Sequence, residues 1–145
     1  MASTVKIEGL QQLGERMRKL AEKTNTTIAR QATNAAAQVI KKQAKLNILT
    51  SPSVVTRSLY NSVIVKKIPA SQTNLTSEHI VTVRGRGKKK LKGTQTTAPH
   101  GHFVEFGTVH MPAEPFLRPA FEEEKGFAVQ AMIDKLKSGI EKAGG

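Results

Sequence analysis

The first third of the chain carries hydrophobic residues at helical spacing. The first group lies three or four residues apart and predicts an amphipathic helix over 9–22. Its members are Leu10, Leu13, Met17 and Leu20. The polar run Thr24–Thr27 interrupts the pattern, and its side-chain oxygens are suited to capping a new helix. A second helix is therefore predicted over 28–46, with an apolar face of Ile28, Ala32, Ala35, Ala36, Val39 and Ile40.

Three short segments have the character of β-strands. Residues 4–8 alternate between polar and apolar, with Val5 and Ile7 on one side. Residues 62–68 and 79–84 are rich in β-branched side chains, which favour strands. Because a polar stretch separates these two segments, they are expected to pair as an antiparallel hairpin.

The C-terminal part ends in a long predicted helix. Proline suits the first helical position, so the helix is expected to begin near Pro119. Glu122–Glu124 fall in its first turns and Lys142 near its end, an arrangement that complements the helix dipole. Its predicted apolar face consists of Leu117, Phe121, Ala128, Met132, Leu136 and Ile140.

The connections complete an α+β fold class. A single helical turn is expected over 56–61, residues 102–106 fit either a short helix or a strand, and 111–115 predict an extended link. The architecture is thus two N-terminal helices, a small antiparallel β-sheet with a long basic loop (about 84–101), and a long C-terminal helix. With 145 residues, the chain predicts one domain over 1–145.

The composition removes several classes of protein. The chain has no cysteine, which excludes disulfide scaffolds, cysteine-ligated zinc and thiol nucleophiles. No apolar run reaches the roughly 18 residues of a membrane-spanning helix, so no membrane association is expected. Aromatic residues make up only 4% of the chain, so its core must be mainly aliphatic.

Positive charge is concentrated in one segment. The chain has a formal net charge of +12, and six cations without an acid lie within nine residues. They are Arg84, Arg86, Lys88, Lys89, Lys90 and Lys92. Such a basic loop can contact DNA phosphates without sequence preference, or it can dock onto an acidic surface of a partner protein.

Histidines near the middle of the chain raise the question of a metal site. His100, His102, Glu105 and His110 lie close together in sequence. A catalytic divalent ion usually needs two or three carboxylates, and Glu105 is the only one here. We therefore expect no cofactor at these residues, and a metal-dependent nuclease is kept as an alternative function.

The aromatic residues gather around one joint. Four of the five phenylalanines lie within 19 residues, namely Phe103, Phe106, Phe116 and Phe121. They predict a hydrophobic cluster that holds the last helix against the sheet. A carboxylate between two of these rings requires a partner, and Arg118 is the nearest candidate for Glu105.

Two motifs in this region resemble a known family. The segments FVEFGT and PFLRPA, followed by a final helix, are similar to the small neck proteins of long-tailed bacteriophages, often described as tail-component or tail-completion proteins. The opening VKIEGL, the helix AAAQVIKKQAK and the segment SLYNSV also resemble that family in order along the chain. The residues that carry the two motifs are Phe103, Glu105, Phe106, Gly107, Pro115, Phe116, Arg118 and Pro119.

The resemblance implies a non-enzymatic structural protein of the virion. It would be assembled in the host cytoplasm into a ring of six copies, with twelve as the alternative, at the head–tail junction. Its partners would be a head-closure protein, a tail-terminator or tail-tube protein, and the double-stranded DNA that passes through the lumen. The candidate subunit interface is the small-residue face of Ala32, Ala35, Ala36 and Val39.

Two other functions remain open on the sequence. A tail terminator that caps the tail tube belongs to the same structural class. A free basic DNA-binding protein belongs to another class and would not need to form a ring.

Overall fold

A computed structural model describes residues 10–51, 57–69, 77–85 and 97–144 of the chain. The predicted strand over 4–8 lies outside these residues. So do all the cations of the basic loop except Arg84.

One continuous helix, α1 (Leu10–Thr50), replaces the two predicted N-terminal helices. The predicted break was wrong because Thr26 and Thr27 do not cap a new helix. Their hydroxyls instead donate to the carbonyl of Lys23 one turn earlier, at 3.0 and 2.8 Å. A threonine hydroxyl that bonds back in this way stays compatible with helical backbone, and the segment contains no proline or glycine to break it.

The predicted hairpin is confirmed. A short helix, α2 (Arg57–Ser62), leads directly into β1 (Val63–Ile68), which pairs antiparallel with β2 (Glu78–Val83). The register runs from Val63 opposite Val83 to Ile68 opposite Glu78. In the described part of the chain these two strands form the whole sheet.

The second half of the molecule contains a short helix and a long one. Residues 102–106, which fitted either helix or strand, belong to the short helix α3 (Gly101–Phe106). The predicted link over 111–115 contains no helix, and α4 (Leu117–Gly144) follows it. This helix begins two residues before the predicted start, so Glu122–Glu124 lie beyond its first turn.

Helices α1 and α4 lie antiparallel along most of the length of α4. Ile28 contacts Gly139 near one end, and Asn47 bonds the carbonyl of Phe116 near the other. Buried alanines line the contact on both helices and permit a close approach; they are Ala32, Ala37, Ala44, Ala120 and Ala128. A Cβ on Gly139 would lie 2.7 Å from a methyl carbon of Ile28, so this crossing requires glycine.

The core lies where the sheet meets the C-terminal end of α1 and the start of α4. Ile48, Val63 and Phe116 are its largest apolar members, each no more than 2% exposed. Leu59, Ala44 and Ala120 complete the buried cluster. None of the described helices is long and apolar enough to cross a membrane.

Candidate assembly site

Glu105 joins α3 to the start of α4. One carboxylate oxygen accepts the N–H groups of Phe116 and Leu117, at 2.8 and 2.9 Å, and the other accepts the N–H of Arg118, at 3.0 Å. These N–H groups have no partner within the helix that they begin, and the helix dipole adds to their attraction for a negative charge. Glu105 is 8% exposed, so its charge acts away from solvent.

The sequence identified the correct pair of residues but the wrong group. Glu105 does contact Arg118, through the backbone N–H. Within the described part of the chain, no ion pair joins their two side chains. The carboxylate between the phenylalanines therefore caps a helix instead of neutralising an arginine.

Polar side chains from the end of α1 hold the same joint from the other side. Asn47 donates to the carbonyl of Phe116 at 3.2 Å, and Gln43 donates to the carboxylate of Glu123 at 3.1 Å. The hydroxyl of Ser51 donates to the carboxylate of Glu114. The first turn of α4 is thus attached both to α1 and to α3.

A tight turn separates α3 from the extended link. Thr108 and Met111 form an isolated antiparallel bridge, with the N–H of Thr108 donating to Met111 at 2.8 Å. Gly107 precedes the turn with a φ of 74°, a conformation that L side chains rarely adopt. A Cβ here would lie 2.8 Å from the backbone nitrogen of Ala113, so the EFG motif requires its glycine for steric reasons.

Gly107→Ala is expected to lower the free energy of unfolding by about 1–3 kcal/mol, because it combines a positive φ with a backbone clash. Gly126 provides a matched control in α4, since a Cβ there meets nothing within 4 Å. Gly126→Ala should stabilise the chain by about 0.5–1 kcal/mol through higher helix propensity. Urea unfolding of both variants measures the difference, and equal effects would contradict the assigned conformation of Gly107.

The phenylalanines do not form one buried cluster. Phe116 is 2% exposed, but Phe103, Phe106 and Phe121 are 42%, 69% and 52% exposed. The expectation that Phe106 is a core residue was therefore wrong. Residues 101–106 form a helix, and Glu105 takes the inward position while its neighbour Phe106 points to solvent.

Helix α4 also exposes large hydrophobic side chains along its length. Small residues occupy its contact with α1, so several larger ones remain at the surface, including residues predicted to be buried. They are Phe121, Phe127, Val129, Ile133 and Ile140, each at least 36% exposed. Exposed apolar surface of this kind commonly marks a contact with another protein.

The four residues of the candidate interface on α1 differ in how far they are buried within the subunit. Ala32 is only 1% exposed in the single chain, so it belongs to the packing within the subunit. Ala35, Ala36 and Val39 are half-buried. A role for these three residues in a contact between subunits stays a prediction.

A cationic cluster adjoins the start of the basic loop. The pKa of Lys41 is lowered, first because burial penalises its charged form and then because Lys45 and Arg84 place positive charge nearby. Lys45 also lies over the ring of Tyr60, with 4.6 Å from its ammonium to the ring centre. Lys41 and Lys45 are four residues apart and therefore lie on one face of the helix. This spacing is visible in the sequence, but the pair was not predicted from it.

His79 lies near the start of β2, at the end of the sheet away from Arg84. Its Nδ1 is 2.9 Å from the hydroxyl of Thr33 on α1. Burial lowers the pKa of His79, and the positive charges of Lys67 and Arg30 lower it further. Within the described residues, no three histidine or acidic side chains are grouped as metal ligands.

Comparison with protein families matches residues 11–107 to the bacteriophage HK97-gp10 family, which is described as a tail component. The matched region contains α1 to α3 and the EFG motif, but it ends before the PFLRPA motif. Glu105 connects the two motifs physically, because its carboxylate binds the N–H groups of residues 116–118. Neither the search of curated proteins nor that of solved structures returned a match. Since the match spans more than half of the sequence, the chain belongs to the bacteriophage HK97-gp10 family of tail components.

Proposed function

We propose that this protein forms a ring at the head–tail junction of a long-tailed bacteriophage, where it joins the DNA-filled head to the tail. The observation that carries the proposal is membership of a tail-component family over residues 11–107. The ring has six copies, and its neighbours are a head-closure protein on one side and a tail-terminator or tail-tube protein on the other. Double-stranded DNA passes through its lumen, and the protein performs no catalysis.

The distribution of apolar surface supports an assembly role. A closed ring needs heterologous interfaces, in which two different surfaces of each subunit meet. The described chain offers such surfaces on separate elements, with Phe103 and Phe106 on α3, Val129 and Ile133 on α4, and half-buried alanines on α1. In a ring these surfaces would be covered by neighbouring subunits.

Inactivating the gene for this protein tests the proposal. We expect filled heads and complete tails that accumulate separately, visible by negative-stain electron microscopy of the lysate. Supplying the wild-type chain from a plasmid should restore joined particles. Tails of abnormal length would indicate a tail terminator instead, and normal virions that lack this chain would contradict a junction role.

The basic loop has two possible roles, which are docking onto a partner protein and contact with DNA. We infer that it docks onto an acidic surface of a partner ring, because attractive phosphate contacts would slow DNA passage through a channel. Under this interpretation, replacing Lys88, Lys89 and Lys90 together by alanine should leave separated heads and tails. The measurement is the fraction of free tails counted by electron microscopy.

A second triple variant controls for the loss of charge. Lys135, Lys137 and Lys142 lie at exposed positions near the end of α4, so their replacement by alanine removes the same charge from a different part of the chain. This control should join heads and tails normally. A normal count of free tails for the loop variant, together with altered DNA retention or ejection, would overturn docking in favour of DNA contact.

A further inference from the structure

A groove runs beside β2 along the length of the strand. One cavity of about 710 Å³ is lined by residues 77–81, and a second of about 420 Å³ is lined by Thr82 and Val83. Leu117 and Arg118 of α4 line both cavities, so the cavities meet at the start of that helix, and together they are called the groove. The floor of the larger cavity is apolar and consists of Ala36, Ala37 and Ile40 of α1.

Among the residues that the structure describes, only β1 pairs with β2, along one of its two edges. The N–H of Arg84 donates to the carbonyl of Ser62 at 2.7 Å, which makes these residues a hydrogen-bonded pair. Such pairs alternate along an antiparallel ladder, so His79 and Val81 direct their backbone groups away from β1. No other described backbone group bonds to them. An open edge beside an apolar groove is the arrangement that accepts an additional strand.

We propose that the groove binds residues 4–8 of a neighbouring copy of this chain as a third strand. This inference rests on the proposed ring and identifies one of its contacts. The segment Thr-Val-Lys-Ile-Glu alternates, so Val5 and Ile7 would face the apolar floor while Thr4, Lys6 and Glu8 face outward. Five extended residues span roughly 17 Å, close to the roughly 20 Å of the six-residue β2.

The geometry of α1 prevents this segment from reaching the groove of its own subunit. His79, at one end of the groove, is anchored to Thr33, which lies 23 residues after Leu10, or about 35 Å along the helix. Thr4 lies six residues before Leu10 and can extend at most about 21 Å from the helix start. Residues 4–8 in this groove must therefore come from another subunit.

The N-terminal part of α1 also projects away from its own subunit. Gly139 of α4 lies against Ile28, and α4 ends five residues later, at Gly144. In an antiparallel pair this point corresponds to about residue 23 of α1. Residues 10–22 therefore extend roughly 20 Å beyond the end of α4, which carries the predicted strand outward toward a neighbour.

Chemical cross-linking in assembled particles tests the inference. The chain has no cysteine, so introduced thiols react without background. Lys6→Cys and Ile80→Cys would lie on the same outer face of the extended sheet, and Ile80 is 44% exposed. A phage carrying this double variant is purified as joined virions, treated with a short bis-maleimide and analysed on a denaturing gel. We expect a ladder of covalent multimers that ends at the complete ring.

A control pair and the possible outcomes separate the inference from the proposed function. Lys6→Cys with Leu49→Cys places the second thiol at the far end of α1 and should give mainly monomer. A Lys6–Ile80 product at monomer mass, or no product, would overturn the strand exchange while the junction role stands. Joined virions that contain none of this chain would overturn both.

Charge substitutions in the segment provide an independent test. Val5→Lys with Ile7→Lys would bury two ammonium groups on the apolar floor, so we expect the cross-linking yield and the number of joined virions to fall by roughly tenfold or more. Thr4→Lys adds charge on the outward face and should leave both within about twofold. The melting temperature of the purified subunit should not change. Normal cross-linking with lysine at both inward positions would contradict the proposed contact.

Discussion

Replacing Glu105 by alanine is expected to lower the free energy of unfolding by about 3–5 kcal/mol, because three backbone N–H groups lose a charged acceptor. These groups belong to residues 116–118 at the start of α4, beside the buried ring of Phe116. Glu105→Gln keeps one acceptor oxygen and should lose about half as much. Urea unfolding of the purified chain measures both values.

Glu122 supplies the control for this experiment. It lies on α4, where its side chain is 61% exposed and pairs with Lys125 only one turn away. Exposed pairs of this kind contribute little, so Glu122→Ala should change the free energy of unfolding by less than about 0.5 kcal/mol. If the Glu105 and Glu122 variants unfold alike, Glu105 does not hold the two elements together.

Phe116→Ala is expected to cost about 3–5 kcal/mol, since it removes the largest ring from the core. Phe106→Ala removes the same number of atoms from a ring that is 69% exposed, so it should cost less than about 1 kcal/mol. The two substitutions form a matched pair, and thermal melts compare them directly. Equal destabilisation by both would contradict the structure of the joint.

Phe106→Ala has a second expected result. Because Phe106 is exposed on α3, its loss should impair head–tail joining even though the subunit stays folded. Counting joined virions alongside the melting temperature separates these effects. A variant that assembles normally would remove Phe106 from the candidate interfaces.

Local patterns along the chain predicted the sheet and the last helix well. The β-branched segments paired as expected, because two neighbouring runs with high strand propensity, separated by a short polar stretch, readily pair with each other. The proline-rich link likewise ended where α4 begins. These features depend on neighbouring residues, which a single sequence displays directly.

The features that failed depend on contacts distant in sequence. The polar run at 24–27 was read as a break, yet α1 continues because its threonines bond back to the helix and α4 supports its later turns. Hydrophobicity assigned Phe121 and Ile140 to the buried face of α4, whereas alanines and Gly139 occupy it. The side-chain size that fits at the crossing with α1 determines which face of α4 is buried. That size depends on the partner helix and not on the sequence of α4 alone.

The sequence predicted which residues belong to the candidate site but not how they contact one another. The EFGT and PFLRPA motifs were identified together, and the structure explains their association through the hydrogen bonds of Glu105 to residues 116–118. The cluster of Lys41 and Lys45 with Arg84 was missed, because it brings a helix and a loop together from distant parts of the chain.

The central claim is that this chain forms a ring between head and tail. Cryo-electron microscopy of the neck of purified virions tests it most directly, since the antiparallel pair of α1 and α4 gives each subunit a recognisable shape. We expect a closed ring of this chain around the DNA channel, between the head-closure protein and the tail tube. Density for the chain along the tail tube or at its distal end, with none at the junction, would contradict the account.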